Sequence, residues 1–243
     1  MYPAIYARLI LLAASSYSSH LAYTSPNPAP KAEEQAKYKT QPTSSLGERG
    51  FTAVHAVSCL KVCLPLFSAL RTHLCSNQTF VHIINVIELI TLLFHADIHT
   101  AHKLPLWLSV DLAVDLVPSA IFVGTLLMCM GTVLRVLSYR YLGRCFTFEL
   151  AIKKDHKLVT DGPYAVVRHP SYTGAWLFNL GVAISLLGPG SAYTELGLWT
   201  HPLGLVIGIA QLGIIAYIGI TIALRVQKED MALKAEFRDQ WST

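Results

Sequence analysis

Long uncharged apolar stretches mark the second half of the chain. Residues 116–134, 172–194 and 203–224 contain no charged side chain. An α-helix needs about 20 mostly apolar residues to cross a bilayer, so each of these windows predicts a transmembrane helix. Gly188-Pro189-Gly190 interrupts the second window and predicts a turn there. The second and third windows are therefore expected to form a helical hairpin.

Three further apolar windows, in the first half, carry some polar residues. Residues 51–70 include Lys61, and residues 80–96 include Glu88. Residues 4–23 are apolar only as far as the serine-rich run that begins at Ser15, so a secretory signal peptide is an alternative to a membrane anchor. We expect an anchor, because no small-residue cleavage site precedes Pro26. The sequence thus predicts an all-α, polytopic integral membrane bundle of about six helices.

The distribution of Lys and Arg predicts the orientation of the bundle, since short cytoplasmic loops carry the excess of basic residues. Residues 138–171 and the segment after residue 224 are rich in Lys and Arg, whereas 189–202 has neither. The first two should face the cytosol and the third the lumen. With six helices the proline-rich linker 24–50 falls on the lumenal side, although it carries Lys31, Lys37, Lys39 and Arg49. We expect the denser charges of the second half to decide the orientation.

The composition agrees with a protein embedded in lipid. Of the 243 residues, 53% are hydrophobic and 14% are charged, and the mean hydropathy is +0.44. Soluble domains carry about 25% charged residues. The net charge of +4, with no basic stripe interleaved with aromatics, argues against a nucleic-acid partner.

The cysteines and histidines give little reason to expect a metal or a disulfide. Five cysteines, an odd number, lie mostly in apolar runs and form no CxxC pair. His95, His99 and His102 have the spacing of metal ligands, with Asp97 among them. A polar helix end is the favoured interpretation of this cluster, and we expect no metal.

Polar residues of defined types concentrate in the stretch 138–171 and at the start of the next window. Residues 156–164 read HKLVTDGPY, and residues 168–174 read RHPSYTG. Asp161-Gly162-Pro163 predicts a turn after a short extended segment. Pro170 suits the first position of a helix, where its missing N–H costs no hydrogen bond, so the next membrane helix should begin near Pro170. Gly174, one turn into that helix, allows another segment to approach closely.

Each of these polar residues also has an ordinary structural explanation. His169 alone is typical of a hydrated interfacial histidine, and Tyr164 and Tyr172 of interfacial tyrosines. The functional interpretation depends on polar residues from two helices lying close together. A loop with two histidines, an arginine and two tyrosines enters one membrane helix, and Arg225-x-x-x-Glu229 leaves the other. The two sets should meet at the cytosolic end of the hairpin.

The segment HKLVTDGPYAVVRHPSYTG, preceded by LGRCFTFEL and followed by a hairpin and R-x-x-x-E-D-x-x-L, resembles the isoprenylcysteine carboxyl methyltransferase family. The resemblance covers about residues 115–241. It implies that residues 115–243 form the methyltransferase catalytic region and that residues 1–114 supply the N-terminal membrane helices and the linker. It also implies a multi-pass protein of the endoplasmic reticulum membrane whose active site faces the cytosol.

The resemblance further implies a site for S-adenosyl-L-methionine and a prenylated substrate. The implied cofactor-binding residues are Glu149, His156, Lys157, Leu158, Val159, Tyr164, His169, Pro170, Ser171, Tyr172 and Glu229. Arg225 matches the arginine that faces the substrate, and it is the implied catalytic residue. The implied reaction is methyl esterification of the C-terminal carboxylate of a farnesylated or geranylgeranylated cysteine in CaaX-processed proteins. A carboxylate of pKa about 3.5 is already ionised, so no general base is needed, and Arg225 can hold it bidentately.

Two departures from the family pattern leave alternatives open. Asp230 stands where the family often has a second glutamate, and the chain ends at Thr243, earlier than its relatives. A catalytically impaired membrane relative is therefore one alternative. Phospholipid N-methyltransferases share the Arg-His-Pro-x-Tyr piece and are another, but an ammonium nucleophile must lose a proton and needs a general base. His156 and His169 are the candidate bases, and the resemblance already assigns both to the cofactor.

Overall fold

A computed structural model describes residues 3–28, 77–96, 117–147 and 158–237. All regular secondary structure in these ranges is helical, as predicted. The six α-helices are α1 (Pro3–Tyr23), α2 (Asn77–Ala96), α3 (Ser119–Leu142), α4 (Pro170–Leu187), α5 (Ala192–Glu195) and α6 (Pro202–Phe237). Short 3₁₀ turns lie at Gly143–Cys145 and Gly162–Ala165. The predicted helix at 51–70 and most of the His95 cluster lie outside the described residues.

Three of the helical segments are long and apolar enough to cross a membrane. They are Ser119–Cys145, Pro170–Glu195 and Pro202–Ala235, and each contains most of one uncharged window of the sequence. A shorter apolar helix occupies Gln78–Leu93. The described residues therefore confirm a membrane protein with three long apolar helices, which is fewer than the six predicted for the whole chain.

Helix α3 and helix α4 pack closely because glycines face each other across their interface. A Cβ atom added at Gly131 would lie 2.5 Å from the carbonyl oxygen of Gly174, and one added at Gly124 would lie 2.7 Å from that of Gly181. Small residues let helix backbones approach closely in membranes, where there is no hydrophobic force to hold helices together. The close approach predicted at Gly174 is confirmed, and its partner is α3. This interface fixes the position of the first turn of α4.

Replacing Gly131 with alanine should destabilise the bundle, because the new methyl group would also lie 2.7 Å from the backbone nitrogen of Phe178. Overpacking of this kind costs about 1–3 kcal/mol. Thermal unfolding in detergent measures the effect as a lower Tm. Gly213→Ala is the matched control, since a Cβ atom at Gly213 in α6 meets nothing within 4 Å. Equal Tm values for the two variants would contradict the packing role of Gly131.

The predicted hairpin forms through α4 and α6, with α5 and its following turn filling the bend. The Tyr193 hydroxyl donates to the carbonyl of Gly204, and Trp199 Nε1 donates to the carbonyl of Leu187 at 3.2 Å. A Cβ atom at Gly208 would lie 2.7 Å from the Trp199 ring. Gly204 and Gly208 therefore serve close packing at the base of the hairpin. Further along, α6 leaves many apolar side chains exposed, including Leu203 (63%), Val206 (64%) and Ile209 (58%), as in a helix that contacts lipid.

Helix α1 packs against α2 and α3 along a polar face. Asn85 Nδ2 donates to the hydroxyls of Ser15 and Ser16 at 2.7 and 2.8 Å, and the Thr132 hydroxyl donates to the carbonyl of Ser18 at 3.2 Å. The serine-rich run that interrupts the apolar window is thus inside the helix and faces the neighbouring helices.

The direction of α1 corrects one prediction. Asn27, just after α1, donates from Nδ2 to the carbonyls of Gly143 and Phe146. The linker 24–50 therefore begins at the same end of the bundle as the basic segment 138–171, and the prediction that it lies at the opposite end is wrong. The number of Lys and Arg residues in a loop carries no information about this tertiary contact.

Cysteine labelling in sealed microsomes can test this arrangement. We expect Ser25→Cys and Val166→Cys to react with an impermeant maleimide from the cytosolic side, because both positions are exposed at the basic end. Thr200→Cys, exposed in the opposite turn, should react only after the membrane is opened. Ser191, in the same turn, is fully buried and would be an uninformative position. Labelling of Ser25→Cys and Val166→Cys from opposite sides would contradict the direction of α1.

Candidate functional site

The first turn of α4 presents two candidate side chains at one end of the bundle. Pro170 occupies the first helical position, as predicted, and His169 precedes it as the N-cap residue. The His169 carbonyl accepts from the backbone nitrogens of Tyr172 and Thr173 at 3.0 and 3.1 Å. These bonds fix the backbone of the Arg-His-Pro-Ser-Tyr segment. As a result, the rings of His169 and Tyr172 stack, with centroids 5.5 Å apart.

Helix α6 carries the complementary charges beyond its apolar part. Its 36 residues give a length of about 54 Å. The hydrocarbon core of a bilayer is about 30 Å thick, so the last third of α6 projects from the membrane. Arg225 therefore lies near the membrane surface, and Glu229 and Asp230 lie about one turn farther out. Residues at i and i+4 share one side of a helix, so Arg225 and Glu229 face α4 together, and the next residue, Asp230, reaches His169.

Two short contacts join α4 to α6. The Tyr172 hydroxyl donates to Glu229 Oε2 at 2.6 Å. His169 Nε2 lies 2.7 Å from Asp230 Oδ1, and His169 Nδ1 lies 3.9 Å from Glu229 Oε2. Charge-assisted hydrogen bonds of this length are stronger than neutral ones. They hold the start of the RHPSY helix against the Arg225-x-x-x-Glu229 segment, as the sequence predicted.

Arg225 lies directly inward of these contacts. Its guanidinium carbon is 5.7 Å from the centroid of the Tyr172 ring, which is within cation–π range. Its Nε atom is buried and has no hydrogen-bond partner among the described residues. Buried polar groups are nearly always hydrogen-bonded, so an unpartnered guanidinium nitrogen indicates a place for an acceptor.

Tyr164 completes the polar side of the site. The 3₁₀ turn Gly162–Ala165 that carries it begins at Gly162 with φ of +60°, a conformation that favours glycine. This confirms the turn predicted at Asp161-Gly162-Pro163. Burial, and then the nearby Glu229 carboxylate, raise the pKa of Tyr164. Its hydroxyl therefore stays protonated at neutral pH and remains a hydrogen-bond donor.

Arg135 of α3 contacts the backbone of the segment that carries His169 and Tyr172. Its Nη1 atom donates to the Ser171 carbonyl at 3.2 Å, and its Nε atom donates to the Ala22 carbonyl at 3.1 Å. Tyr139 lies beside it, with the ring centroid 5.5 Å from the guanidinium carbon. Arg135 thus links the first turn of α4 to the end of α1.

The structure brings five of the predicted residues together: Tyr164, His169, Tyr172, Arg225 and Glu229. Pro170 and Ser171 are buried and act through the backbone. Leu158 and Val159 lie half-buried in irregular chain before the turn. Glu149, His156 and Lys157 lie outside the described residues.

Sequence analysis missed two members of this assembly. Asp230 was noted only as a departure from a second glutamate, yet its carboxylate reaches His169. Its position one residue after Glu229 was the available signal. Arg135 directly follows the uncharged window 116–134, and no motif in the sequence marks it as part of a site. No group of three potential metal ligands occurs among the described residues.

The apolar helices and the cluster of charged and polar side chains at their end define the class as an integral-membrane protein. The profile of the isoprenylcysteine carboxyl methyltransferase family matches residues 123–235, which include α4, most of α6 and the contacts that join His169 and Tyr172 to Glu229 and Asp230. This part of the chain is similar to that family.

Curated relatives match shorter segments of the chain. Protein-S-isoprenylcysteine O-methyltransferase B of Arabidopsis thaliana is 38% identical over 71 residues, which are 28% of this chain and 36% of that protein. The protein-S-isoprenylcysteine O-methyltransferase of Schizosaccharomyces pombe is 46% identical over 61 residues, 24% of this chain and 26% of that protein. The one from Saccharomyces cerevisiae is 37% identical over 68 residues, 27% and 28% of the two chains. These matches span well under half the length of each relative. No solved structure matches the chain.

Proposed function

We propose that this protein transfers a methyl group from S-adenosyl-L-methionine to the C-terminal carboxylate of a prenylated cysteine. The observation that carries the proposal is Arg225, whose Nε atom is buried without a hydrogen-bond partner among the described residues and lies beside the Tyr172–Glu229 contact at the membrane surface. Arginine presents a planar fork of donors that matches a carboxylate. Arg225 thus provides an anion-binding group at the membrane surface, where the C-terminal carboxylate of a lipid-anchored protein would bind.

The residues between α4 and α6 suit S-adenosyl-L-methionine. The cofactor carries positive charge on its sulfonium and amino groups, and Glu229 and Asp230 supply two carboxylates. Each carboxylate makes one short contact, to Tyr172 or His169, and an ionised carboxylate can accept several hydrogen bonds. When bound, the cofactor supplies a methyl group on sulfur, whose transfer to a carboxylate oxygen forms an ester.

The chain's own residues supply binding and alignment. A C-terminal carboxylate is ionised at neutral pH, so the site has no proton to remove. Alignment of two reactants can supply about 7–11 kcal/mol of the barrier. Arg225 would orient the carboxylate and offset its loss of water. The His169–Asp230 and Tyr172–Glu229 contacts hold the facing helices in register while it does so.

The lipid character of the substrate follows from where Arg225 sits. A prenyl chain gains about 0.8 kcal/mol for each CH₂ buried in apolar surroundings. The apolar part of α6 lies directly inward of Arg225 along the same helix, and Leu224 next to Arg225 is 41% exposed. A prenyl group can therefore lie within the bilayer while its carboxylate meets the arginine. The substrate class proposed is a farnesylated or geranylgeranylated C-terminal cysteine, and the proposed location is the endoplasmic reticulum membrane with the site facing the cytosol.

A two-substrate assay tests the proposal. Membranes containing the protein are supplied with labelled S-adenosyl-L-methionine and with either a prenylcysteine analogue or phosphatidylethanolamine. We expect base-labile methyl ester on the prenylcysteine and no methylated phospholipid. Methylation of phosphatidylethanolamine alone would identify a phospholipid N-methyltransferase. Cofactor binding without any transfer would identify an impaired relative.

A further inference from the structure

The segment that follows α1 contacts the cofactor side of the bundle, although it lies outside the residues matched by the family profile. Asn27 Nδ2 donates to the carbonyl of Gly143 at 2.8 Å and to the carbonyl of Phe146 at 2.9 Å. These residues begin and follow the 3₁₀ turn that ends α3. One side chain therefore holds both ends of that turn.

The number of N–H donors on the Asn27 side chain equals the number of carbonyls that the turn presents to it. The Gly143 carbonyl accepts the 3₁₀ bond from the Phe146 N–H at 3.2 Å, and a carbonyl oxygen has a second lone pair for the Asn27 amide. The carboxamide of asparagine has two N–H donors, and the turn presents two carbonyls to them. Gly143 has φ of +54°, which turns the chain back so that the two carbonyls can share one side chain.

The turn is packed onto the residues that support the candidate site. The rings of Phe146 and Tyr139 have centroids 4.1 Å apart, and the Tyr139 hydroxyl donates to the Ala22 carbonyl at 3.3 Å. The same carbonyl accepts from Arg135, which also bonds to Ser171 in the first turn of α4. A continuous set of contacts thus runs from the end of α1 to the segment that carries His169 and Tyr172.

We propose that Asn27 is a positioning residue for the cofactor site, acting through the Gly143–Phe146 turn. This inference rests on the proposed function. The hydrogen bonds of Asn27 among the described residues go to Gly143 and Phe146, neither of which is a proposed cofactor residue. Its effect should therefore fall on cofactor affinity, while the prenylcysteine side of the site is spared. The N-terminal helix would then be a working part of the catalytic unit as well as a membrane anchor.

Three variants test this role in the full-length protein. Asn27→Ala removes both hydrogen bonds, and Asn27→Asp keeps the size but places a carboxylate against two carbonyls. We expect the Kd and the KM for S-adenosyl-L-methionine to rise about tenfold in both, the equivalent of about 1.4 kcal/mol. The KM for a prenylcysteine analogue should change less than about twofold. Thr24→Val is the matched control, since it removes only the local bond from Thr24 to the His20 carbonyl.

Cys145 provides a second readout that does not depend on activity. It lies inside the turn as a free, half-buried thiol. Loss of the Asn27 contacts should let the turn open, so alkylation at Cys145, quantified by mass spectrometry, should be about fivefold faster in Asn27→Ala than in wild type or Thr24→Val.

The outcomes separate this inference from the proposed function. Failure of the wild type to bind S-adenosyl-L-methionine would overturn the proposed function, and with it this inference. Normal wild-type binding with unchanged affinity in Asn27→Ala and Asn27→Asp would overturn this inference alone. A lower Tm with unaltered cofactor affinity would also overturn it, because that result describes a purely structural contact.

Discussion

Glu229→Ala is expected to weaken S-adenosyl-L-methionine binding by about 100-fold while the protein still inserts and folds. Glu229 lies 3.9 Å from His169 Nδ1 and accepts from the Tyr172 hydroxyl at 2.6 Å. It is thus placed to bind a cationic cofactor and also orders the facing helix. Loss of one or two charge-assisted hydrogen bonds costs about 3 kcal/mol in total, which corresponds to about two orders of magnitude. Isothermal titration in detergent measures the change.

His169→Ala should produce a loss of similar size, because it removes the partner of Asp230 and one ring of the stacked pair. Tyr172→Phe should have a smaller effect, since it removes one bond to Glu229 and keeps the ring. Lys234→Ala is the control, as Lys234 is exposed on the same helix. Wild-type affinity in both Glu229→Ala and His169→Ala would rule out the site between α4 and α6.

Arg225→Ala should lower kcat/KM for a prenylcysteine by about 10- to 100-fold and leave cofactor affinity near the wild-type value. A charge-assisted hydrogen bond contributes about 1.5–3 kcal/mol, and that energy sets the rate loss if it is expressed in the transition state. Arg225→Lys should rescue only part of the rate, because lysine keeps the charge but lacks the planar fork. Single-turnover kinetics with saturating cofactor would measure both variants.

The competing explanation is that Arg225 anchors α6 to lipid phosphates. Its guanidinium carbon lies 5.7 Å from the centroid of the Tyr172 ring, a contact that an anchor to lipid phosphates does not require. Lysine would also contact lipid phosphates as well as arginine does if the residue were only an anchor. A prenylcysteine analogue without its carboxylate distinguishes the two roles: it should compete poorly for wild type and no worse than the intact analogue for Arg225→Ala. Full activity of Arg225→Ala would eliminate the assignment.

The sequence alone determined the elements whose signals are local. Uncharged windows located α3, α4 and α6, because the length and apolar character of a membrane helix are fixed by bilayer thickness. Pro170 and the Gly188-Pro189-Gly190 break set the limits of α4 through backbone chemistry that depends on few neighbours. The polar residues that converge on the hairpin identified the site, since the two helices that carry them are adjacent in the chain.

Only the tertiary structure decided contacts between segments distant in sequence. The direction of α1 is shown by the contact of Asn27 with Gly143, 116 residues away. The number of basic residues in each loop does not predict such a contact. Asp230 pairs with His169 because packing sets the register between α4 and α6. Without that register, the sequence does not show which of the adjacent residues Glu229 and Asp230 faces His169. Arg135 became a support of the site because Gly131 and Gly174 let α3 approach α4. Helix packing is a sum over many weak contacts, and no single stretch of sequence encodes it.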